Sequence, residues 1–161
     1  MGASVYIESS IISYLTSRAS RDVVKAGRQA VTSEWWLKHR IRYEVYISAL
    51  VEDEISGGDP VVAAQRMQAV TDIPSVVITP EAQTLAEALV ASKAVPANSA
   101  RDALHIAVAA AQGMDYLLTW NFKHINNAET KALIARIVEA SGLECPILCS
   151  PEELGGYDDG E

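Results

Sequence analysis

The segment Arg101-Asp-Ala-Leu-His-Ile-Ala-Val-Ala-Ala-Ala111 constrains this chain more than any other. It reads as a helix that is apolar on nearly every face, and such a helix must be covered on nearly every face. Around it, short apolar or β-branched runs alternate with helical patterns. The strand readings are 3–7, 76–79, 114–121 and 146–148, and the helix readings are about 21–42, 61–70, 81–92 and 128–140. Strands alternating with helices imply parallel pairing and an α/β fold with a mostly parallel central sheet. Gly57-Gly-Asp-Pro60, Pro74, Pro80 and Pro96 punctuate the series, and no internal repeat is present.

Four residues far apart in sequence stand where a strand or helix end aims a metal-binding oxygen outward. Glu8 follows the run 3–7 and precedes Ser9, Ser10 and a helix-like segment over 11–15. It therefore lies at a strand's carboxyl end, the edge where open α/β sheets bind ligands. An acid or hydroxyl there also suits a helix cap, a role Ser9 or Ser10 would fill alone. Glu54 closes the acidic run Glu52-Asp-Glu54. At about 100° per residue it alone of the three falls within the apolar arc of Leu50, Val51 and Ile55. A carboxylate on that side needs a partner, either a cation or an arginine.

Asp102 opens the apolar helix at its wet end. The spacing Ser99-x-x-Asp102 equally fits a capping box, with the helix dipole supporting the acid. His105 shares the face of Asp102 one turn on, and we assign it a supporting, hydrogen-bonded role. Asn121 and Thr119 mark the exit of the strand entered through Gly113, a C-cap glycine. Asp115 lies in the same run, but six residues of strand place it roughly 20 Å away, at the opposite edge. Ser9, Ser10 and Thr119 join His105 as supporting groups around Glu8, Glu54, Asp102 and Asn121.

Several acids around one crevice, without a set of cysteines and histidines, favour Mg²⁺ or Mn²⁺ over zinc. In phosphodiester cleavage such an ion lowers the pKa of the attacking water and stabilises charge on the phosphate. That chemistry needs acids and no protein nucleophile.

In order along the chain, Val-Tyr-Ile-Glu8-Ser-Ser, Ile-Ser48 with Glu54-Ile55, Arg-Asp102-Ala-Leu-His-Ile-Ala and Tyr-Leu-Leu-Thr-Trp-Asn121-Phe-Lys-His-Ile resemble PIN-domain ribonucleases. The likeness is in particular to VapC-like toxins of prokaryotic toxin–antitoxin pairs. It implies a PIN-like three-layer α/β/α fold and metal-dependent endonuclease action on RNA, with Glu8, Glu54, Asp102 and Asn121 lining the pocket. A cognate antitoxin and a homodimer are the partners it implies. The chain departs from the pattern at three positions. The family's first acid is usually Asp where Glu8 stands, the fourth is often Asp where Asn121 stands, and His124 replaces a further acid. These departures favour one firmly held ion with a weaker second. They leave open a catalytically degenerate relative that serves as a protein- or RNA-binding module.

The 161 residues, 49% of them hydrophobic, are one domain's worth. The expected division is a single domain over 1–150 and an acidic, frayed tail over 151–161. No apolar run approaches the ~20 residues of a membrane span, and the N-terminus lacks a secretion signal, so a cytoplasmic location is expected. Cys145 and Cys149, about 13 Å apart in an extended strand, are too distant for a disulfide and make a poor zinc site. The net charge of −8 opposes nucleic-acid binding, yet its distribution is uneven. Residues 18–43 hold seven of the thirteen basic residues, among them Arg18, Arg21 and Arg28, against the two acids Asp22 and Glu34. Trp35 and Trp36 lie in the same stretch. It is read either as an RNA-holding surface or as a solvated helix face with its tryptophans in the core. Its amphipathic helices would also suit a homodimer interface or an antitoxin's docking segment. A Mg²⁺ phosphatase fits less well, because no phosphate-cradling glycine loop is present.

Overall fold

Val5, Tyr6 and Ile7 of β1 (Ser4–Ile7) are all fully buried, and a strand buried on both faces belongs in the middle of a sheet covered on both sides. β1 is indeed central. The strand order is β3-β2-β1-β4-β5, with β2 at Glu44–Ser48, β3 at Ser75–Val76, β4 at Tyr116–Leu118 and β5 at Ile147–Cys149. Every pairing is parallel, and Tyr6 lies in register with Tyr46 on one side and Leu117 on the other. The computed structural model describes residues 2–157.

Parallel crossovers are right-handed, so the direction of each step across the sheet decides which face its helices cover. From β1 to β2 to β3 the chain steps one way. Accordingly α1 (Ser9–Thr16), α2 (Val23–Glu34), α3 (Ala49–Ile55) and α4 (Pro60–Ala69) pack together. The chain then returns across β1 to β4 and steps on to β5, so α5 (Pro80–Ala91), α6 (Ala100–Ala111) and α7 (Lys131–Ala140) form the other group. The result is a three-layer α/β/α fold. The reversal falls between β1 and β4, and the crevice at their carboxyl ends is the topological switch point.

α6 is covered as its composition demands, with Ala103 and every residue from His105 to Ala110 buried. Helix starts follow local chemistry. Asp22, Asp59 and Thr79 each accept a hydrogen bond from a free first-turn N–H, and Pro60 and Pro80 occupy first helical positions. No helix among the described residues is long and apolar enough to cross a membrane.

Several expected boundaries are corrected. The single helix over 21–42 is three pieces, because α2 gives way to a π-helical turn at Trp35–His39 and a 3₁₀ turn at Arg40–Arg42. The wider turn carries Trp35 into the core, stacked on Tyr43 with ring centres 5.9 Å apart. Trp36 lies under the Arg40 guanidinium. β2 is an addition to the expected strands, and β4 is shorter than its apolar run. β3 ends before Thr79, whose hydroxyl caps α5. The late helix starts at Lys131 rather than at 128, after a turn in which the Asn127 side chain accepts from the Glu129 N–H. Of the tail expected from 151, Leu154 is buried, and Glu153 accepts hydrogen bonds from Ser150 and Asn126. Residues 158–161 of that tail lie outside the described residues.

Ala109 has no exposed surface, so Ala109→Leu should overpack α6 and cost about 1–3 kcal/mol. Chemical denaturation measures this, and an unchanged midpoint would contradict the buried placement of α6.

Candidate metal centre

Glu8 is bound to both strands that flank the switch point. It continues β1 with extended backbone (φ −81°, ψ 155°), and its N–H donates to the Leu118 carbonyl of β4 at 3.1 Å. Its carboxylate caps α1 by accepting from the Ser10 N–H at 3.1 Å and the Ser10 hydroxyl at 2.5 Å. The Thr119 hydroxyl donates to the same carboxylate at 2.6 Å. The Trp120 and Asn121 N–H groups in turn donate to those two hydroxyls, which fixes their direction. Glu8 is only 6% exposed, all of these donors are neutral, and no salt bridge reaches it among the described residues.

Glu54 enters the same crevice from α3, a helix capped by the Ser48 hydroxyl. Its Oε1 accepts from the Ser9 hydroxyl at 2.5 Å and faces His105 Nε2 at 2.7 Å, while Oε2 accepts from Arg101 Nε at 3.1 Å. Adjacent serines thus serve different acids, Ser9 holding Glu54 and Ser10 holding Glu8. Burial alone would raise the Glu54 carboxyl, but His105, Ser9 and Arg101 outweigh it and hold the group at about 2. Arg101 also pairs with Asp53.

His105 is fully buried on α6. Its Nδ1 lies 2.8 Å from the Tyr6 hydroxyl, which lies 2.7 Å from the Ser48 hydroxyl. The Tyr6 phenol is held neutral, since burial raises its pKa well above the ordinary value. An ionised Glu54 only accepts, so Nε2 carries the proton toward it. Glu8, Glu54 and His105 each offer one ligand atom, and these atoms lie within 4.8 Å of one another. Ligands about 2.1 Å from an ion lie up to roughly 4.2 Å apart across it, so the spacing of the three is close to that of ligands around one cation.

The other expected residues are disposed differently. Asp102 stands one turn before His105, and its Oδ2 lies 2.9 Å from His124 Nδ1. The capping box expected with Ser99 is not formed, since the Ser99 side chain makes no cap bond. Asn121 Oδ1 accepts from the N–H groups of Lys123 and His124 at 3.1 and 2.9 Å. Both donors belong to the turn after β4. Tyr6, Ser48 and Arg101 are site residues that the sequence reading misses. The available signals are a tyrosine inside a strand buried on both faces, whose hydroxyl needs a partner, and an arginine adjoining Asp102.

Of the three arginines expected to meet RNA, Arg18 and Arg21 are exposed. The Arg28 guanidinium lies 5.4 Å from the Trp120 ring centre and 5.2 Å from that of Phe122, and it donates to the Tyr14 hydroxyl. It is held by aromatic faces.

Among solved structures the fold is similar to the crystal structure of VapBC2 from Rickettsia felis bound to a DNA fragment from their promoter. The match has a TM-score of 0.52 and 12% sequence identity, and it covers 91% of this chain and 98% of that one. No protein-family model matches the chain, and no curated protein matches it. The likeness is one of fold.

Glu54 has a folded pKa depressed from 4.5 to about 2. Its ionised form therefore adds stability that is present above about pH 4.5 and is lost as pH falls toward 2. With a chelator present, the stability gap between wild type and Glu54→Gln should be wider near pH 6 than near pH 2.5. Thermal unfolding across that range checks this, and a pH-independent gap would refute it.

Proposed function

We propose that this chain is a divalent-metal-dependent endoribonuclease with a PIN-like fold. It cleaves RNA phosphodiester bonds with metal-activated water and acts as the toxin-type member of a toxin–antitoxin pair. The observation that carries this reading is the Glu8 carboxylate, nearly buried at the switch point without a positive partner among the described residues and converging on Glu54. A buried carboxylate needs a countercharge, and an ion there supplies it. The likeness of the fold to that of VapBC2 supports the reading.

The donor set fits Mg²⁺ or Mn²⁺. When bound, such an ion activates water and neutralises charge on the reacting phosphate. Glu8 and Glu54 hold it, with Ser9, Ser10 and Thr119 fixing their carboxylates. Asp102 contributes a further acid once it turns from His124, and Asn121 shapes the loop that presents His124. Exposed Arg18 and Arg21 meet the RNA backbone. The exposed Val23, Val24, Leu37 and Ile41 offer an apolar surface to a cognate antitoxin or a second copy.

One observation favours a second reading, a degenerate module that binds protein or RNA without cutting. Glu54 and Asp102 already face internal basic groups, Arg101 and His105 for the first and His124 for the second.

Titration of Mn²⁺ and Mg²⁺ against cleavage of a mixed structured and single-stranded RNA pool separates the two. The nuclease cuts only with metal and loses nearly all cleavage in Glu8→Gln and Asp102→Asn. RNA or protein binding without metal-dependent cutting, unchanged in Asp102→Asn, would establish the module. The paired change Arg18→Ala and Arg21→Ala should weaken RNA binding and reduce its log–log salt slope by about one for each phosphate no longer neutralised. An unchanged slope would remove these arginines from the interface.

A further inference from the structure

We propose that His105 is itself a ligand of this centre, making the donor set two carboxylates and one imidazole, and that the centre therefore prefers Mn²⁺ over Mg²⁺. The inference rests on the nuclease reading above and specifies its ion. Two observations carry it, the convergence of His105 with Glu8 and Glu54, and the anchor behind the ring.

His105 Nε2 points at the Glu54 oxygen that also receives Ser9, and its ligand atom lies within 4.8 Å of those of Glu8 and Glu54. The ring is 1% exposed, so it reaches the crevice from the core side with its orientation fixed. A metal-bound imidazole characteristically donates its other ring N–H to a held acceptor. The Tyr6 hydroxyl provides one at 2.8 Å from Nδ1 and is itself anchored to Ser48 at 2.7 Å.

That anchor works in both proton arrangements, because a hydroxyl donates and accepts. Without an ion, Ser48 donates to Tyr6, Tyr6 donates to Nδ1, and Nε2–H donates to Glu54. With an ion, Nδ1–H donates to Tyr6, Tyr6 donates to Ser48, and the Nε2 lone pair faces the cation. One tautomer replaces the other, and two hydroxyls rotate. Carboxylate, carbonyl and water suit Mg²⁺ and Mn²⁺ alike, whereas nitrogen ligands are taken up by transition ions, of which Mn²⁺ is the weakest-binding member and Mg²⁺ is not one. One nitrogen in place of an oxygen therefore favours Mn²⁺.

The test uses metal-stripped full-length protein with Mn²⁺ and Mg²⁺ as the probes. Calorimetry measures both affinities, and electron-spin-echo spectroscopy of bound Mn²⁺ detects a directly coordinated imidazole nitrogen. The proposal expects tighter Mn²⁺ binding and a nitrogen signal in the wild type. His105→Gln, which keeps an N–H for Glu54, should lose both the signal and the preference. Tyr6→Phe, which keeps the ring packing, should weaken Mn²⁺ binding by about tenfold or more. Mn²⁺ bound without a nitrogen signal, or equal affinities for both ions in the wild type and both variants, would reduce His105 to a positioning residue and leave the nuclease reading standing. Failure of the wild type to bind either ion would overturn both. The nitrogen signal is read on the wild type, so the outcome does not depend on either variant folding.

Discussion

A carboxylate almost removed from water at the mouth of the central strand is the constraint from which the neighbouring structure follows. Left without donors, Glu8 would be costly to bury. The chain answers with the first turn of α1 and the exit of β4, which deliver the hydroxyls of Ser10 and Thr119 and one backbone N–H to it. These bonds also tie α1 to β4 across the switch point, so the same interactions close the fold and shape the crevice. Neutral donors satisfy hydrogen bonding and leave the charge uncompensated. On that imbalance the metal reading stands.

The position of the crevice follows from chain handedness. A step sequence that moves outward through β2 and β3 and then returns to β4 must separate its helices onto two faces and leave an opening beside β1. The carboxyl end of β1 supplies Glu8 to that opening, α3 supplies Glu54, and α6 supplies His105. Topology thus explains why acids distant in sequence meet. The likeness to the VapBC2 structure concerns this scaffold, and the chemistry is argued from the side chains.

Much of this architecture is legible in the sequence. The all-round apolar character of α6 requires two-sided cover, and the helical arc distinguishes Glu54 from Glu52 and Asp53. β2 is hard to see because it begins with a charged residue just after a basic run and is fully buried only at Ile47 and Ser48. β4 is shorter than its apolar run because its neighbours' pairing stops at Leu118, and strand length is set by partners as much as by composition. Asn121 stands at a strand exit, where its carbonyl is expected to face the crevice. That carbonyl instead accepts from the backbone donors of Lys123 and His124, an outcome fixed by the turn that follows and invisible to spacing. His105 resembles an ordinary core histidine, since its relation to Tyr6 and Ser48 is set by strand register and helix rotation, which no local pattern encodes.

The division of labour between Ser9 and Ser10 reaches beyond the two bonds involved. Neighbouring residues in a single helical turn restrain one acid from β1 and another from α3. Fraying of that turn would strip a hydroxyl donor from both acids together, leaving Glu8 to Thr119 and Glu54 to Arg101 and His105. The two acids are thereby coupled, and the order of the crevice depends in part on the stability of one short helix end.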